Sequence, residues 1–550
     1  MSVLKSSLIM ASGTIFSRGL GIIRAILLAA TIGVTTDAAD AFGVANQLPN
    51  NVYAIIVGGV LNAVLVPQIV KAKAHLDGGK AYIDRLLTLA IVIFGSVTII
   101  TTLAAPFLVA LYTNGWSPSQ LALATAFAYW CLPQLFFYGL YTLLGEVLNA
   151  RSKFGPYMWA PVLNNIVAIV GMILFIWQFG PDPIGNRSVE EWTQSQITLL
   201  AGTATLGVAS QALILFVFWR RMGLTFNFNF SWRGVGLGPA MRASSWTLGM
   251  LVVTQIGGVV QTAVASTAIG GRAFFAGQEI AIASVAAMSI AWLIFMLPHS
   301  VATVSIATAY FTRMSTHAME KKFDELKTDL ADGLRTIAMI SVLASAGLIV
   351  LAYPIARVFV GELPSAIALG NVVIAMVIGL LPFSYVFMIQ RAFYSLEDTR
   401  TPFLFTTVQI IFNIIGSLLV AFYVEHIWVV VALSLVTSGS VLLQAVLAFV
   451  MFKRKFGSLG HSHLSIATGK FILAAVVSGL VGFLILQLMG GAHKGAFPVL
   501  SILSSTLTCL IIGSVMVLIY LTILRLFKVP EVKTLTDPIN KLLGRRSSED

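Results

Sequence analysis

Apolar residues along this chain come in runs of about twenty, each closed by a short polar stretch, and they neither alternate as in strands nor keep to one helical face. A run of that length crosses a hydrocarbon layer of about 30 Å as an α-helix. Windows of about 19 residues predict fourteen spans, centred near residues 20, 57, 98, 132, 167, 207, 255, 293, 345, 378, 412, 440, 477 and 513.

The pattern repeats. Leu48-Pro49 in span 2 and Leu132-Pro133 in span 4 recur as Leu297-Pro298 in span 8 and Leu381-Pro382 in span 10, both displaced by 249 residues (297 − 48; 381 − 132). Arg85 matches Arg335 (335 − 85 = 250), Pro106 matches Pro354 (354 − 106 = 248), and Pro156 matches Pro402 (402 − 156 = 246). Leu363-Pro364 has no counterpart in this scheme. Landmarks kept in one order predict two six-span halves, and an even number of spans gives both halves the same orientation. The expected fold is an all-α polytopic membrane protein of about 14 transmembrane helices in two parallel six-helix repeats, with two extra helices. Its expected parts are an N-terminal lobe at 1–222, an interfacial linker at 223–240, a C-terminal lobe at 241–456, the extra helices 13 and 14 at 457–528 and a cytoplasmic tail at 529–550. Duplicated six-span bundles are the architecture of secondary transporters, so the pattern points to transport.

Composition agrees: 58% hydrophobic and 10% charged residues, with a mean hydropathy of +0.91, exclude an ordinary soluble chain. The net charge of +12 does not mark a nucleic-acid binder, because the cations follow topology. Lys71, Lys73, Lys80, Arg151, Arg220, Arg221, Lys321, Lys322, Arg400 and the Lys453-Arg454-Lys455 run fall in alternate loops. The intervening loops carry only Arg187, Arg272 and Lys494 against Asp37, Asp40, Asp182, Glu190, Glu191, Glu279, Glu362 and Glu425. This positive-inside pattern puts both termini in the cytoplasm. The two cysteines, Cys131 and Cys509, lie in apolar spans and imply no disulfide framework. Residues 7–33 read as a retained first span, not a signal peptide.

Chemistry enters with FSRGLGIIRAILLAA, residues 16–30. Two arginines at a helix centre cost about 5–7 kcal/mol together on insertion scales, so Arg18 and Arg24 must turn toward water or a partner. Six residues at 100° each leave them about 120° apart, with Gly19 and Gly21 between them as a place to bend, while Ser17 and Arg24 share a face. A guanidinium fork suits the phosphoryl groups of a diphosphate-bearing lipid. In span 2, Asn46, Gln47, Asn50 and Asn51 surround Pro49, which frees a backbone carbonyl within the membrane. Asn62, Asn164, Asn165, Gln255 and Gln261 suit hydrogen bonds between helices. Arg391 with Glu397 or Asp398 reads as a structural pair near a cytoplasmic end, and Arg357 as a snorkelling residue. TFNFNFSW, residues 225–232, reads as an interfacial aromatic segment. No nucleophile, base and orienter set stands out, and His461 with His463 lacks further ligands, so neither an enzyme nor a metal or other cofactor is expected.

The run SGTIFSRGLGIIRAILLAATIG, then TDAADAFGVANQLPN, then LVPQIV, resembles the N-terminal spans of the MurJ (MviN) family, the lipid II flippases of the MOP transporter superfamily. GEVLNARSKFGPYMWAPVLNN and WLIFMLP fit the same family. The resemblance implies two lobes around a central cationic cavity, with the two extra helices forming a lipid-facing groove. It implies that Arg18 and Arg24 are the essential helix 1 arginines and that Asp40 is the acid of the DAF motif. Two departures make the cavity less cationic: Asn51, Val52 and Tyr53 stand where many members carry arginine after LPN, and Trp292, Leu293 and Met296 stand where they carry a charged cluster. The pattern looks like the actinobacterial branch, in which a cytoplasmic kinase-like domain commonly follows. The expected function is translocation of undecaprenyl-diphosphate-linked peptidoglycan precursor by alternating access across the bacterial cytoplasmic membrane. The expected substrate-binding residues are Ser17, Arg18, Arg24, Asp40, Gln47, Asn50 and Asn51. Expected partners are lipid II, membrane lipids and cell-wall synthesis or regulatory proteins, with no nucleic acid. The alternatives are an exporter of another polyprenyl-linked glycan or a drug, and a non-transporting scaffold that recruits cell-wall enzymes through its basic loops and tail.

Overall fold

The computed structural model describes residues 3–57, 80–151, 153–222, 225–231, 245–275, 278–459 and 461–532, and every regular element among them is helical. Among these residues twelve helices are long and apolar enough to cross a membrane, and a bent pair, Leu363–Val377 with Leu380–Ser395, makes a thirteenth. Each coincides with a span expected from the sequence. The remaining expected span, near residue 57, begins as helix Asp37–Ile56 and then leaves the described residues, as do most of the linker and the end of the tail. Large apolar side chains such as Trp177, Phe422 and Leu488 lie exposed, as they should where lipid is the solvent.

The chain forms two compact units. The first, Met1–Ala286 with Glu425–Ile427, contains α1 (Val3–Ile32), α2 (Asp37–Ile56), α3 (Lys80–Leu103), α4 (Ala105–Tyr112), α5 (Pro118–Cys131), α6 (Gln134–Ala150), α7 (Phe154–Phe179), α8 (Gln194–Arg221) and α9 (Ser245–Ser266). Thr36 caps α2, its Oγ1 accepting from Ala39 N at 3.1 Å. Helix α1 runs unbroken through Gly19 and Gly21, so the bend anticipated there is not used. Residues 225–231 form no helix or strand and are anchored on α3, with Asn229 N donating to Thr88 Oγ1 at 2.9 Å and with Phe228 and Phe230 exposed. The unit continues past the lobe boundary expected from the repeat and takes in α9. Trp116 Nε1 donates to Ser266 O at 3.2 Å and Asn114 N to Ser266 Oγ at 2.7 Å, which fastens the end of α9 to the loop between α4 and α5.

The second unit, Ala287–Val424 with Trp428–Asp550, takes up α10 (Val285–Pro298) from Ala287 onward. It contains α11 (Val304–Met319), α12 (Phe323–Val350), α13 (Ala352–Phe359), α14 (Leu363–Val377), α15 (Leu380–Ser395), α16 (Arg400–Tyr423), α17 (Val429–Phe456), α18 (His461–Leu488), α19 (Phe497–Leu500) and α20 (Ile502–Leu526). A π-helical turn, His299–Thr303, follows Pro298, and buried Ser384 bonds both its ends, His299 Nδ1 and Thr303 Oγ1, at 3.1 Å. The extra helices α18 and α20 lie against α12, with Tyr520 Oη donating to Met339 O at 2.8 Å. Arg357 donates to the carbonyls of Val360 (2.7 Å) and Val499 (2.9 Å), so it is a bonded anchor where snorkelling was expected. The expected pairing of Arg391 with Glu397 or Asp398 is not formed. Arg391 lies over the rings of Phe387 and Phe311, and Asp398 takes Lys455 Nζ at 2.6 Å.

Local breaks repeat between the units. Ala104, between α3 and α4, and Leu351, between α12 and α13, have nearly the same backbone angles, (−86°, 11°) and (−98°, 13°), and are 247 residues apart (351 − 104). Each introduces a helix of 8 residues that ends in an extended cap, Thr113 or Val360. Pro118 opens α5 and Pro364 lies in the first turn of α14, 246 apart (364 − 118), so Leu363-Pro364 does have a counterpart. The cap residues Leu132 and Ile378 are also 246 apart (378 − 132). Pro382 therefore sits three residues past the register of Pro133, and the 249-residue match of those two prolines is replaced by the helix breaks themselves.

Candidate functional site

Helix α1 carries the site. On a helix at 100° per residue, Gly21 lies 60° from Arg18 on one side and 60° from Arg24 on the other. A Cβ added at Gly21, or at Gly19, would meet nothing among the described residues within 4 Å. The arc between the two guanidinium groups is therefore open. Both arginines are half-buried. Arg24 has neither an ion pair nor a hydrogen bond to a described residue, and the groups it acts on electrostatically are Tyr138 and Cys131 of the α5–α6 arm.

That arm is shaped by Pro133, which cannot donate a backbone N–H and marks the break between α5 and α6. The break hands the Trp130 carbonyl to Thr205 Oγ1, at 2.6 Å. Gln134 is buried just past it, with Nε2 donating to Thr205 Oγ1 at 3.0 Å and to Asn46 Oδ1 at 3.5 Å. Tyr138 Oη donates to Gln134 Oε1 at 3.2 Å, and its ring lies 5.4 Å from that of Tyr53. Gln134, Tyr138 and Thr205 escaped the sequence reading. The signal was available, because the rule that singled out the amides beside Pro49 applies equally to the glutamine after Leu132-Pro133.

The expected residues divide. Ser17 joins α1 to α7, its carbonyl accepting from Asn165 Nδ2 at 2.9 Å. Gln47 is half-buried and Asn50 exposed, and neither side-chain amide has a partner among the described residues. Asn51 is engaged, donating from Nδ2 to Tyr112 Oη at 3.1 Å while its carbonyl accepts from Gln255 Nε2 at 2.6 Å. Asp40 is fully buried and faces no open space. Its Oδ2 takes Arg272 Nη2 at 2.6 Å and its Oδ1 takes Ala286 N at 2.8 Å, while Arg272 also pairs with Asp37. In this structure Asp40 is a clamp that caps the start of α10, with both its carboxylate oxygens engaged. Sequence reasoning counted Arg272 only as a loop charge.

Long apolar helices, breaks repeated about 247 residues on, and an arginine within the first span that has no ion pair to a described residue point to a polytopic transporter. The family model described as lipid II flippase MurJ matches residues 28–503, and the chain belongs to that family. A probable lipid II flippase MurJ of Vibrio cholerae is 26% identical over 508 residues, covering 88% of this chain and 89% of its own length. One from Synechocystis is 25% identical over 550 residues, covering 98% and 97%. The solved structure of a lipid II flippase MurJ in an inward closed conformation shares the fold, with a TM-score of 0.71 at 20% identity over 94% of this chain and 98% of that one. An inward-facing multidrug resistance MATE family transporter of the MOP superfamily follows at 0.64 and 16%, over 83% and 99%. The chain is thus a multi-pass flippase and not an enzyme. The matched stretch begins after Arg18 and Arg24.

Proposed function

We propose that this lipid II flippase holds the diphosphate of its undecaprenyl-linked substrate on α1, with Arg24 gripping one phosphoryl group and Arg18 closing the other side of the arc over Gly21. The observation that carries the reading is Arg24 itself, a guanidinium inside an apolar helix with no anion of the described protein to neutralise it. Such a group costs about 2.5–3.5 kcal/mol in a membrane span and persists where a ligand or water supplies the missing partner. Gln47 and Asn50, with unused amides, suit the sugar or peptide of the headgroup. Ser17 and Asn51 support it through bonds to neighbouring helices, and Asp40 supports it through Arg272. We further propose the bacterial cytoplasmic membrane as the location, with both termini inside, from the alternation of loop charge. The departures after LPN and before Pro298 favour the actinobacterial branch of the family.

The test is lipid II movement between leaflets in vesicles holding the purified chain, together with growth of cells depleted of their own flippase. Arg24→Ala should abolish both, because losing a charge-assisted contact to a desolvated phosphate costs about 1.5–3 kcal/mol, or roughly 10-fold to 150-fold in affinity. Arg24→Lys should be impaired but active, since lysine keeps the charge and loses the fork. Parent-like activity in Arg24→Ala would end this reading.

A further inference from the structure

We propose that Trp292 is a sugar platform of this flippase, its indole stacking on the apolar face of a sugar ring in the lipid II headgroup beside a row of α11 hydroxyls that accept from the headgroup's O–H and N–H groups. The proposal rests on lipid II as the substrate and adds a headgroup contact in the second unit; it does not need the Arg24 grip.

Two helices of the second unit differ in what they expose. Helix α16 exposes Leu404, Val408, Ile411, Ile415 and Leu418 and buries Thr406, Gln409 and Asn413, as a helix whose outer face meets lipid should. Helix α11 is reversed. It exposes Ser305, Thr308, Thr312 and Thr316, three or four residues apart and so on one face, and buries Ala307 and Met314. From Trp292 to the end of α11, only Val301 in the π-helical turn and the last residue, Met319, are further large apolar side chains left exposed. A span that exposes hydroxyls and buries its apolar side chains faces water within the membrane. Each hydroxyl donates to the carbonyl four residues back, at 2.8 Å for Ser305, 2.7 Å for Thr308, 3.3 Å for Thr312 and 3.2 Å for Thr316. What the row offers outward is therefore oxygen that accepts.

The open side of α10 carries Trp292, with exposed Ser289 three residues before it. Trp292 is 42% exposed, and its Nε1 has no hydrogen bond to a described residue. Phe295 stacks on the indole with centroids 5.2 Å and planes 18° apart, and Phe383 of α15 meets it edge-on at 5.9 Å. The ring is thus fixed by two others and still open, so covering it with a ligand costs little further ordering. Tryptophans that anchor a protein at the membrane interface sit near helix ends, as Trp177 does two residues before the end of α7 and Trp428 does immediately before α17. Trp292 is seven residues inside α10 (292 − 285), about 10 Å along the axis. A sugar ring presents a face of C–H bonds rimmed by hydroxyls. An indole with a free N–H matches it, apolar across the ring and polar at the tip.

The experiment measures binding of lipid II and of undecaprenyl diphosphate, which has the same tail and diphosphate without the sugars, to the full chain in nanodiscs. Trp292→Leu keeps an apolar side chain but loses the flat ring, and it should weaken lipid II by about 3-fold to 10-fold, the size of one aromatic contact, while leaving undecaprenyl diphosphate within about 2-fold. Trp292→Tyr, which keeps a ring with a polar tip, should recover most of that loss. Trp177→Leu, at an exposed tryptophan near a helix end, should change neither lipid. Equal weakening of both lipids by Trp292→Leu would mark Trp292 as a packing or tail contact, and no weakening would mark it as a lipid-facing residue; either overturns the proposal. Arg24→Ala separates the two readings. If it binds both lipids like the parent, the diphosphate grip fails, and Trp292 is still decided by the difference that Trp292→Leu makes between the two lipids.

Discussion

Asp40 holds Arg272 with one carboxylate oxygen and the backbone of Ala286 with the other, and none of it is exposed. Removing one partner of such a buried pair costs about 3–5 kcal/mol, because the other charge stays buried alone. Asp40→Asn should therefore lower the thermal stability of the purified protein markedly, and Arg272→Met added to it should lose less than the sum of the two single changes. Loss of lipid II movement with unchanged melting would instead return Asp40 to the headgroup. Asp398, outside the spans, behaves differently. Burial acts to raise its pKa, but bonds from Lys455 Nζ (2.6 Å), Thr401 Oγ1 (2.6 Å) and Thr401 N (3.0 Å) outweigh it and hold the carboxyl below its ordinary value. A depressed carboxylate contributes stability that is complete above its unfolded pKa, about 3.9, and is lost as pH falls through the folded value. Asp398→Asn should lower the melting temperature at pH 7, and the difference should shrink steadily as pH falls below about 3.9; the same destabilisation at every pH would refute the link. The motif made Asp40 legible, but its role was hidden because its partners lie 232 and 246 residues away (272 − 40; 286 − 40) and no local pattern records which polar groups satisfy each other.

At the scale of elements, α7 and α8 pack as closely as side-chain size allows. A Cβ on Gly171 would fall 2.1 Å from Thr203 Oγ1, and one on Gly207 would fall 2.8 Å from the backbone oxygen of Asn164. Small residues let membrane helices approach and bond, and here Asn164 Nδ2 donates to Gln211 Oε1 at 2.9 Å beside the contact. Gly207→Ala must move backbone, so it should cost about 1–3 kcal/mol, the usual range for overpacking, while Gly19→Ala, which meets open space, should be neutral or stabilising by detergent melting. Comparable melting of both variants would refute the packing argument. The spans themselves were legible because hydrocarbon demands about twenty apolar residues whatever their neighbours. The breaks were only partly so. Prolines drew attention to them, yet the turn between α14 and α15 falls at Ile378-Gly379, ahead of Pro382, which lacks the N–H that would bond to the Ile378 carbonyl one turn back.

For the whole molecule, the loop charges set the expected direction of the crossings. Thirteen candidate spans among the described residues and the one expected near residue 57 would make fourteen, an even number that would return the chain to its starting side. Basic residues gather in every second loop, and positive charge is retained in the cytoplasm, so residues near 322 and 454 should lie inside and residues near 190 and 494 outside. Glu190 serves better as a tag than Arg187, which is half-buried against Phe175 and Trp192, whereas Glu190, Lys322, Arg454 and Lys494 are all exposed. The native thiols interfere little, Cys131 being buried and Cys509 partly so. In intact cells a membrane-impermeant maleimide should label Glu190→Cys and Lys494→Cys at once, and Lys322→Cys and Arg454→Cys only after permeabilisation. Complete reversal would mean an odd number of crossings before residue 190 has been miscounted, with α2 and its continuation the first suspect. A reversal confined to residue 494 would place the error between residues 454 and 494, in α18, and would put the C-terminus outside while leaving the orientation of α1 intact.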